Sequence, residues 1–181
     1  MPERSRHAGP GIALAAAALL LLARPAGADY VNFEAPHVHP IALTPSGGRL
    51  LAVNTPDATL EVFAVAADGS LQALKTIPVG LEPVTVKART DSEAWVVNYL
   101  SDTVSIVDLD QGSVVRTISV GDEPTDVVFA AGKAFVAVSQ EDAVKVWSLA
   151  ALDQAPQQID VFNLRTQALA VSNDGTRVYA V

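Results

Sequence analysis

The feature that most constrains this chain is a repeat. Three segments end alike, Ile77-Pro78-Val79-Gly80, Ile118-Ser119-Val120-Gly121 and Ile159-Asp160-Val161-Phe162, with their isoleucines 41 residues apart both times. Two of these endings run into Glu82-Pro83 and Glu123-Pro124, again 41 apart, and Pro40 lies 43 residues before Pro83. Each unit then carries an apolar run: Leu51-Ala52-Val53-Asn54, Trp95-Val96-Val97-Asn98 or Phe135-Val136-Ala137-Val138. A polar turn and an alternating stretch follow, Thr59 to Phe63, Thr103 to Val107 and Ala143 to Trp147. Side chains alternate across a strand, so Val104 and Ile106 share one face and Thr103 and Ser105 the other.

Every unit therefore reads as four short strands. The first follows the proline, as in Pro40 to Leu43 or Pro124 to Val127. The fourth runs from Leu74 to Val79 or from Val114 to Val120. The turns between strands, such as Pro45-Ser46-Gly47-Gly48, Ala67-Asp68-Gly69-Ser70 and Asn173-Asp174-Gly175, are rich in residues that tolerate positive φ. Val, Ile and Thr dominate the strands, as half-buried pleated surfaces prefer. A period near 41 with four strands per unit predicts an all-β fold of four-stranded antiparallel blades, a β-propeller. The expected blade units are about 38–80, 81–121, 122–162 and an incomplete 163–181. Aligning Ala168 to Gly175 on the first unit places Tyr179-Ala180-Val181 on Leu51-Ala52-Val53. The sequence then stops inside a strand with about three and a half blades, so the natural chain is expected to continue past Val181 toward a closed ring.

The first 28 residues have a different character. Arg4 and Arg6 precede an unbroken apolar run from Gly11 to Ala23, and Ala26-Gly27-Ala28 supplies small residues for cleavage. This is the layout of a secretory signal peptide, with an apolar run too short for a permanent span. The expected mature domain is 29–181, exported to the periplasm or cell surface, with no membrane span after cleavage. Removing Arg4, Arg6, Arg24 and Glu3 takes the net charge from −8 to about −10. Such a surface repels phosphate backbones and anionic lipid, which argues against nucleic-acid and membrane-surface binding. Cysteine is absent, so there is no disulfide and no C-x-x-C-H haem attachment within this sequence.

The second unit carries a specific resemblance. Trp95-Val96-Val97-Asn98-Tyr99-Leu100-Ser101-Asp102-Thr103-Val104-Ser105-Ile106-Val107-Asp108 is similar to the YVTN repeat, and Thr117 to Gly121 followed by Glu123-Pro124 is similar to that repeat's end. The first and third units are looser, with Ser139-Gln140-Glu141 in place of Asn-Tyr-Leu. The resemblance covers about residues 38–181. It implies a seven-bladed propeller of an exported or surface protein of bacteria or archaea.

Few residues have reactive potential. In His37-Val38-His39 the two imidazoles share one face of an extended segment, and Pro40 pushes His39 toward that conformation. Such a pair can bind Zn or Cu, although a zinc site needs further ligands, from Glu34 or elsewhere. The plainer reading makes His37 and His39 ordinary residues leading into a strand. No other cofactor is expected. A second candidate is an acidic rim: Glu82, Asp122 and Glu123 precede innermost strands, and Asp57, Asp102 and Asp142 lie in turns between second and third strands. Blade topology puts both sets on one face, where they could attract a cation or a basic partner. Asp also simply suits such turns, and the sequence favours that reading. Asn54 and Asn98 are expected to bond the turn backbone. Trp95, Trp147, Phe135, Phe63 and Tyr179 recur at equivalent positions and are expected to pack between blades.

No nucleophile elbow, phosphate loop or triad appears in the sequence. The leading functional expectation is therefore a non-catalytic exported propeller that presents a binding face to an unidentified protein or small ligand. Two enzyme readings stand beside it. Leu60 to Phe63 followed by Ala67 to Leu71 is similar to the repeat of the phosphogluconolactonase family, also seven-bladed, which implies a sugar-lactone hydrolase. That family is usually not exported, and its catalytic His and Arg residues have no match here. The other reading is a periplasmic redox protein whose propeller flanks a haem or copper domain, as in methylamine dehydrogenase heavy chains or nitrous-oxide reductase. His37 and His39 are its only local support.

Overall fold

The computed structural model of the protein describes residues 36–162 and 165–181. The signal-peptide reading of residues 1–28 lies outside the described residues, as does Glu34. No helix among the described residues is long and apolar enough to cross a membrane.

Three four-stranded antiparallel sheets follow one another along the chain, each a meander in sequence order. The first holds β1 (Ile41–Leu43), β2 (Arg49–Asn54), β3 (Thr59–Val65) and β4 (Leu71–Pro78). The second holds β5 (Pro83–Ala88), β6 (Glu93–Asn98), β7 (Thr103–Asp108) and β8 (Ser113–Ser119). The third holds β9 (Pro124–Ala130), β10 (Lys133–Val138), β11 (Ala143–Ser148) and β12 (Gln157–Asp160). In the fourth unit, β13 (Leu169–Val171) and β14 (Val178–Ala180) form a two-stranded sheet. The first strands of successive sheets, β1, β5, β9 and β13, lie side by side. His39 pairs in parallel with Thr85, through Val38 N to Val84 O at 3.2 Å and Val86 N to His39 O at 2.9 Å. These are the innermost strands of β-propeller blades.

The blades hold together by side chains meshed face to face. Leu51, Leu60, Val62 and Ile77 of the first blade pack on Val86, Val96 and Val107 of the second. Val84, Trp95 and Ile118 of the second meet Val127, Val136 and Trp147 of the third. Val128, Val144 and Val146 of the third meet Leu169, with Val171 and Val178 beside it. Trp95 is nearly inaccessible, and Phe129 meets it edge-on at 5.2 Å and 84°. Each blade's fourth strand is the outer edge; β8 buries Ile118 and leaves most of its residues exposed.

Two details of the sequence reading need correction. The five recurrent aromatics do not all enter the core. Trp95 and Trp147 are buried and Phe63 and Phe135 are half-buried, but Tyr179 is exposed. Its neighbours Val178 and Ala180 point into the third-to-fourth blade contact, so alternation turns Tyr179 to the opposite face. The asparagines bond side chains rather than turn backbone. Asn54 donates to Asp57 at 2.9 Å, and Asn98 donates to Thr103 at 3.1 Å and to Ser105 at 3.0 Å.

Candidate functional site: the axial hollow

In the acidic turns, two carboxylates, those of Asp102 and Asp142, hold backbone N–H groups. Asp102 and Asp142 adopt left-handed φ of 56° and 47° in the second-to-third-strand turns. Short polar side chains tolerate that conformation. Each carboxylate accepts from the backbone N–H of the segment leading into the next inner strand: Glu123 N to Asp102 Oδ1 at 3.1 Å, and Arg165 N to Asp142 Oδ1 at 2.9 Å. Glu82 and Glu123 are left-handed in their turn, at 52° and 54°. Asp57 does not belong to this series, because the left-handed residue of the first blade is Ala58, at 54°. Glu82 is buried, whereas Asp122 is exposed and receives no backbone role of this kind. The Tyr99 hydroxyl foremost, then Gln140, Arg165 and Ser139, hold the Glu123 carboxyl below the usual glutamate range against the opposing effect of desolvation. The rim is thus mainly a set of turn fasteners.

The two histidines diverge. His37 Nε2 lies 2.5 Å from Thr55 Oγ1, and that hydroxyl donates its proton to Pro83 O at 2.7 Å. The hydroxyl has one proton to give, so it accepts from His37, whose Nε2 carries the hydrogen. His39 Nδ1 lies 3.0 Å from Asp126 Oδ1. An ionised carboxylate only accepts, so Nδ1 carries the hydrogen and Nε2 becomes the available nitrogen of the neutral ring. Among the described residues no group of three or more His, Cys, Asp or Glu is placed to hold a metal ion.

Asp126 is the residue the sequence reading passed over. It stands in the middle of inner strand β9, fully buried. Its Oδ1 also accepts Val127 N at 2.8 Å, and its Oδ2 accepts Leu169 N at 2.7 Å. One carboxylate therefore ties together the lead-in to the first blade, the third blade and the fourth. Threonines extend this polar belt. Thr85 Oγ1 accepts His39 N at 3.2 Å and donates to Thr125 O at 2.8 Å, and Thr125 Oγ1 donates to Thr166 O at 3.1 Å. A charge written into an apolar inner strand, where the other units carry Pro40, Thr85 and Ala168, was the signal available in the sequence.

Beside this belt lies a hollow of about 500 Å³, lined by His39, by Lys87, Ala88 and Arg89, by Val128 and Phe129, and by Leu169 to Val171. It opens along the carboxy-terminal halves of β5, β9 and β13, at the other end of these strands from the Glu82 and Glu123 loops. Arg89 is paired with Glu93 through Nε and Nη2, which raises the guanidinium's pKa and lowers that of the carboxyl. Glu93 also accepts Trp95 Nε1 at 2.8 Å. Lys87 is exposed and makes no ion pair among the described residues. The hollow is thus lined by polar and apolar surface in similar measure, with Lys87 as a cation unpaired among the described residues and His39 as an imidazole edge.

No family model matches the sequence, and comparison with curated proteins finds no match. Solved structures do match. Hydrazine synthase of Kuenenia stuttgartiensis aligns with a TM-score of 0.70 at 22% identity, over 84% of this chain and 45% of that one. A candidate 6-phosphogluconolactonase of Bacteroides uniformis aligns at 0.66 and 15% identity, over 80% and 47%. A protein of unknown function from Desulfotomaculum acetoxidans aligns at 0.62 and 17%, over 77% and 50%. The chain spans about half the length of the structures it matches. At these identities the likeness establishes the fold: this is β-propeller architecture.

Proposed function

We propose that the chain is part of an exported, YVTN-like propeller that acts as a non-catalytic binding module and takes its ligand at the axis rather than on the acidic rim. The observation that carries this reading is the hollow beside the inner strands, lined by His39 and Lys87 together with Phe129, Ala170 and Val171. A concavity where a few polar groups converge beside apolar side chains is a usual place for a small ligand. Asp102 and Asp142, in contrast, spend their carboxylates on backbone N–H groups.

A thermal-shift survey of the purified chain with small metabolites tests it. A compound that raises the melting temperature of the native chain, but not of Ala170→Trp, supports the axial module, because Ala170 is exposed and lines the hollow, which the indole would fill. Compounds whose effect survives Ala170→Trp and is lost in Asp122→Asn would move the ligand to the rim.

A lactone hydrolase is the second reading, favoured by the His39–Asp126 pair, which leaves Nε2 positioned as a base. The candidate 6-phosphogluconolactonases of two Bacteroides species share the fold. Base uptake during hydrolysis of glucono-δ-lactone, lost in His39→Gln, would establish that activity and overturn the non-catalytic reading.

A further inference from the structure

We infer that the axial hollow selects a small amphipathic monocarboxylate, with the carboxylate on Lys87 and the apolar body over Phe129, Ala170 and Val171. This rests on the axial-module reading and names its ligand class. Three features of the hollow lead to it.

The first is charge. Arg89 also lines the hollow, but Glu93 engages both its Nε and its Nη2. Lys87 has no such partner among the described residues, and its ammonium is a compact point charge on a flexible stem. A protein whose sequence carries 20 acidic against 12 basic residues repels anions in general, so an uncompensated lysine in a concavity is a local exception to the global field. It favours a single negative charge over a polyanion.

The second is the floor. Phe129, Ala170 and Val171 supply apolar surface, and Phe129 meets the buried Trp95 edge-on. An aromatic wall beside a branched aliphatic suits a phenyl or short alkyl body better than a sugar. The third is the imidazole. The Asp126 carboxylate engages Nδ1 of His39, which leaves Nε2 as the ring edge free to meet a ligand. Its side chain is 47% exposed, so it sits at the mouth, where it can accept from a hydroxyl of the ligand or from water.

Isothermal titration of the full chain with 3-phenylpropionate and with the uncharged 3-phenylpropionamide tests the assignment. The acid is expected to bind roughly tenfold more tightly than the amide, and Lys87→Gln is expected to abolish that preference. Lys87 is exposed, so its replacement leaves the fold intact. Binding is also expected to perturb Trp95 fluorescence through Phe129, and Asp57→Asn, in the opposite loops, is expected to change neither affinity nor fluorescence. Equal affinity for acid and amide, or a preference that survives Lys87→Gln, overturns the charge assignment. Tighter binding of gluconate than of 3-phenylpropionate overturns the apolar one. If neither probe binds while other compounds still raise the melting temperature of the native chain but not of Ala170→Trp, the ligand class fails and the axial module stands. If no compound does so, the axial module itself fails.

Discussion

Ile77, Ile118 and Ile159 occupy the same place in successive repeats, yet their exposures are 1%, 9% and 44%. The sequence around each is alike, so local propensity does not separate them. The neighbour does. Ile77 packs against the second blade with Val107 and Leu109, and Ile118 against the third with Trp147. Ile159 faces the fourth unit, where the described strands are only β13 and β14 beside the axis. The outer faces repeat the lesson. Ile41 and Leu43 are 63% and 56% exposed, whereas Ala42 between them packs toward the second blade. Burial in a repeat protein belongs to the interface between units, and a unit's own sequence specifies only half of it.

Truncating the three isoleucines one at a time is the sharpest way to break that comparison. Ile77→Ala and Ile118→Ala should each cost about 2–5 kcal/mol, because each empties a closed contact between blades. Ile159→Ala should cost under about 1 kcal/mol, since much of its surface already meets water. Urea denaturation with a shared slope measures all three. A penalty for Ile159→Ala equal to that of Ile77→Ala would show that its repeat position, not its neighbour, sets the cost.

Asp126 gives the next largest effect, and it separates inner strand β9 from β5, where Thr85 serves the belt with a neutral hydroxyl. Asp126→Asn keeps the shape but aims an N–H₂ group at a donor, because all three partners of the carboxylate donate. The expected loss is about 1.5–3 kcal/mol, the range for buried hydrogen bonds to a charge. Thr85→Val should lose about 1 kcal/mol, as befits a neutral bond. Equal losses would mean that the charge adds nothing to the belt.

Gly80 and Gly121, also 41 residues apart, compare the first two inter-blade loops. Gly121 holds φ at 111°, and an added Cβ would lie 2.1 Å from Glu141 Oε1. At Gly80 the added Cβ would meet Ser101 Oγ at 2.5 Å and the buried Asn98 side chain at 2.6 Å. Gly121→Ala should cost about 1–3 kcal/mol from backbone strain. Glu141→Ala in the same chain relieves the clash but not the φ, so it should restore only part of the loss. Full restoration would place the whole penalty in the Glu141–Lys145 ion pair.

The fold was legible because a period near 41 and four strand signals survive in any one unit. What escaped depends on packing across units. In the first blade the left-handed turn position falls on Ala58 rather than on an acid, because such a position is fixed by hydrogen bonds that residue type only hints at. The pairing of His39 with Asp126 spans 87 residues and two blades, beyond the reach of any local spacing. Lys87 shows its significance only once Arg89 is seen to be paired with Glu93. His37 and His39 look like one site in sequence, but their side chains answer to Thr55 and Asp126 separately.

The smallest effect lies in the turn that does use its acid. The Glu123 carboxyl sits below its ordinary pKa of 4.5, chiefly through the Tyr99 hydroxyl. A depressed folded-state value means that this stabilisation is complete above the unfolded pKa and is lost as the pH falls through the folded one. The advantage of the native chain over Glu123→Gln should therefore be present at neutral pH and vanish in acid, below the folded pKa. Tyr99→Phe should move the Glu123 carboxyl resonance to titrate closer to the ordinary glutamate range, because Gln140 and Ser139 remain but the strongest donor is gone. Carbon-detected titration of the two chains reads this directly. An unchanged midpoint in Tyr99→Phe would assign the depression to Gln140, Ser139 and the Arg165 charge instead, and the turn would then owe its acid to the neighbouring lead-in segment rather than to the strand end before it.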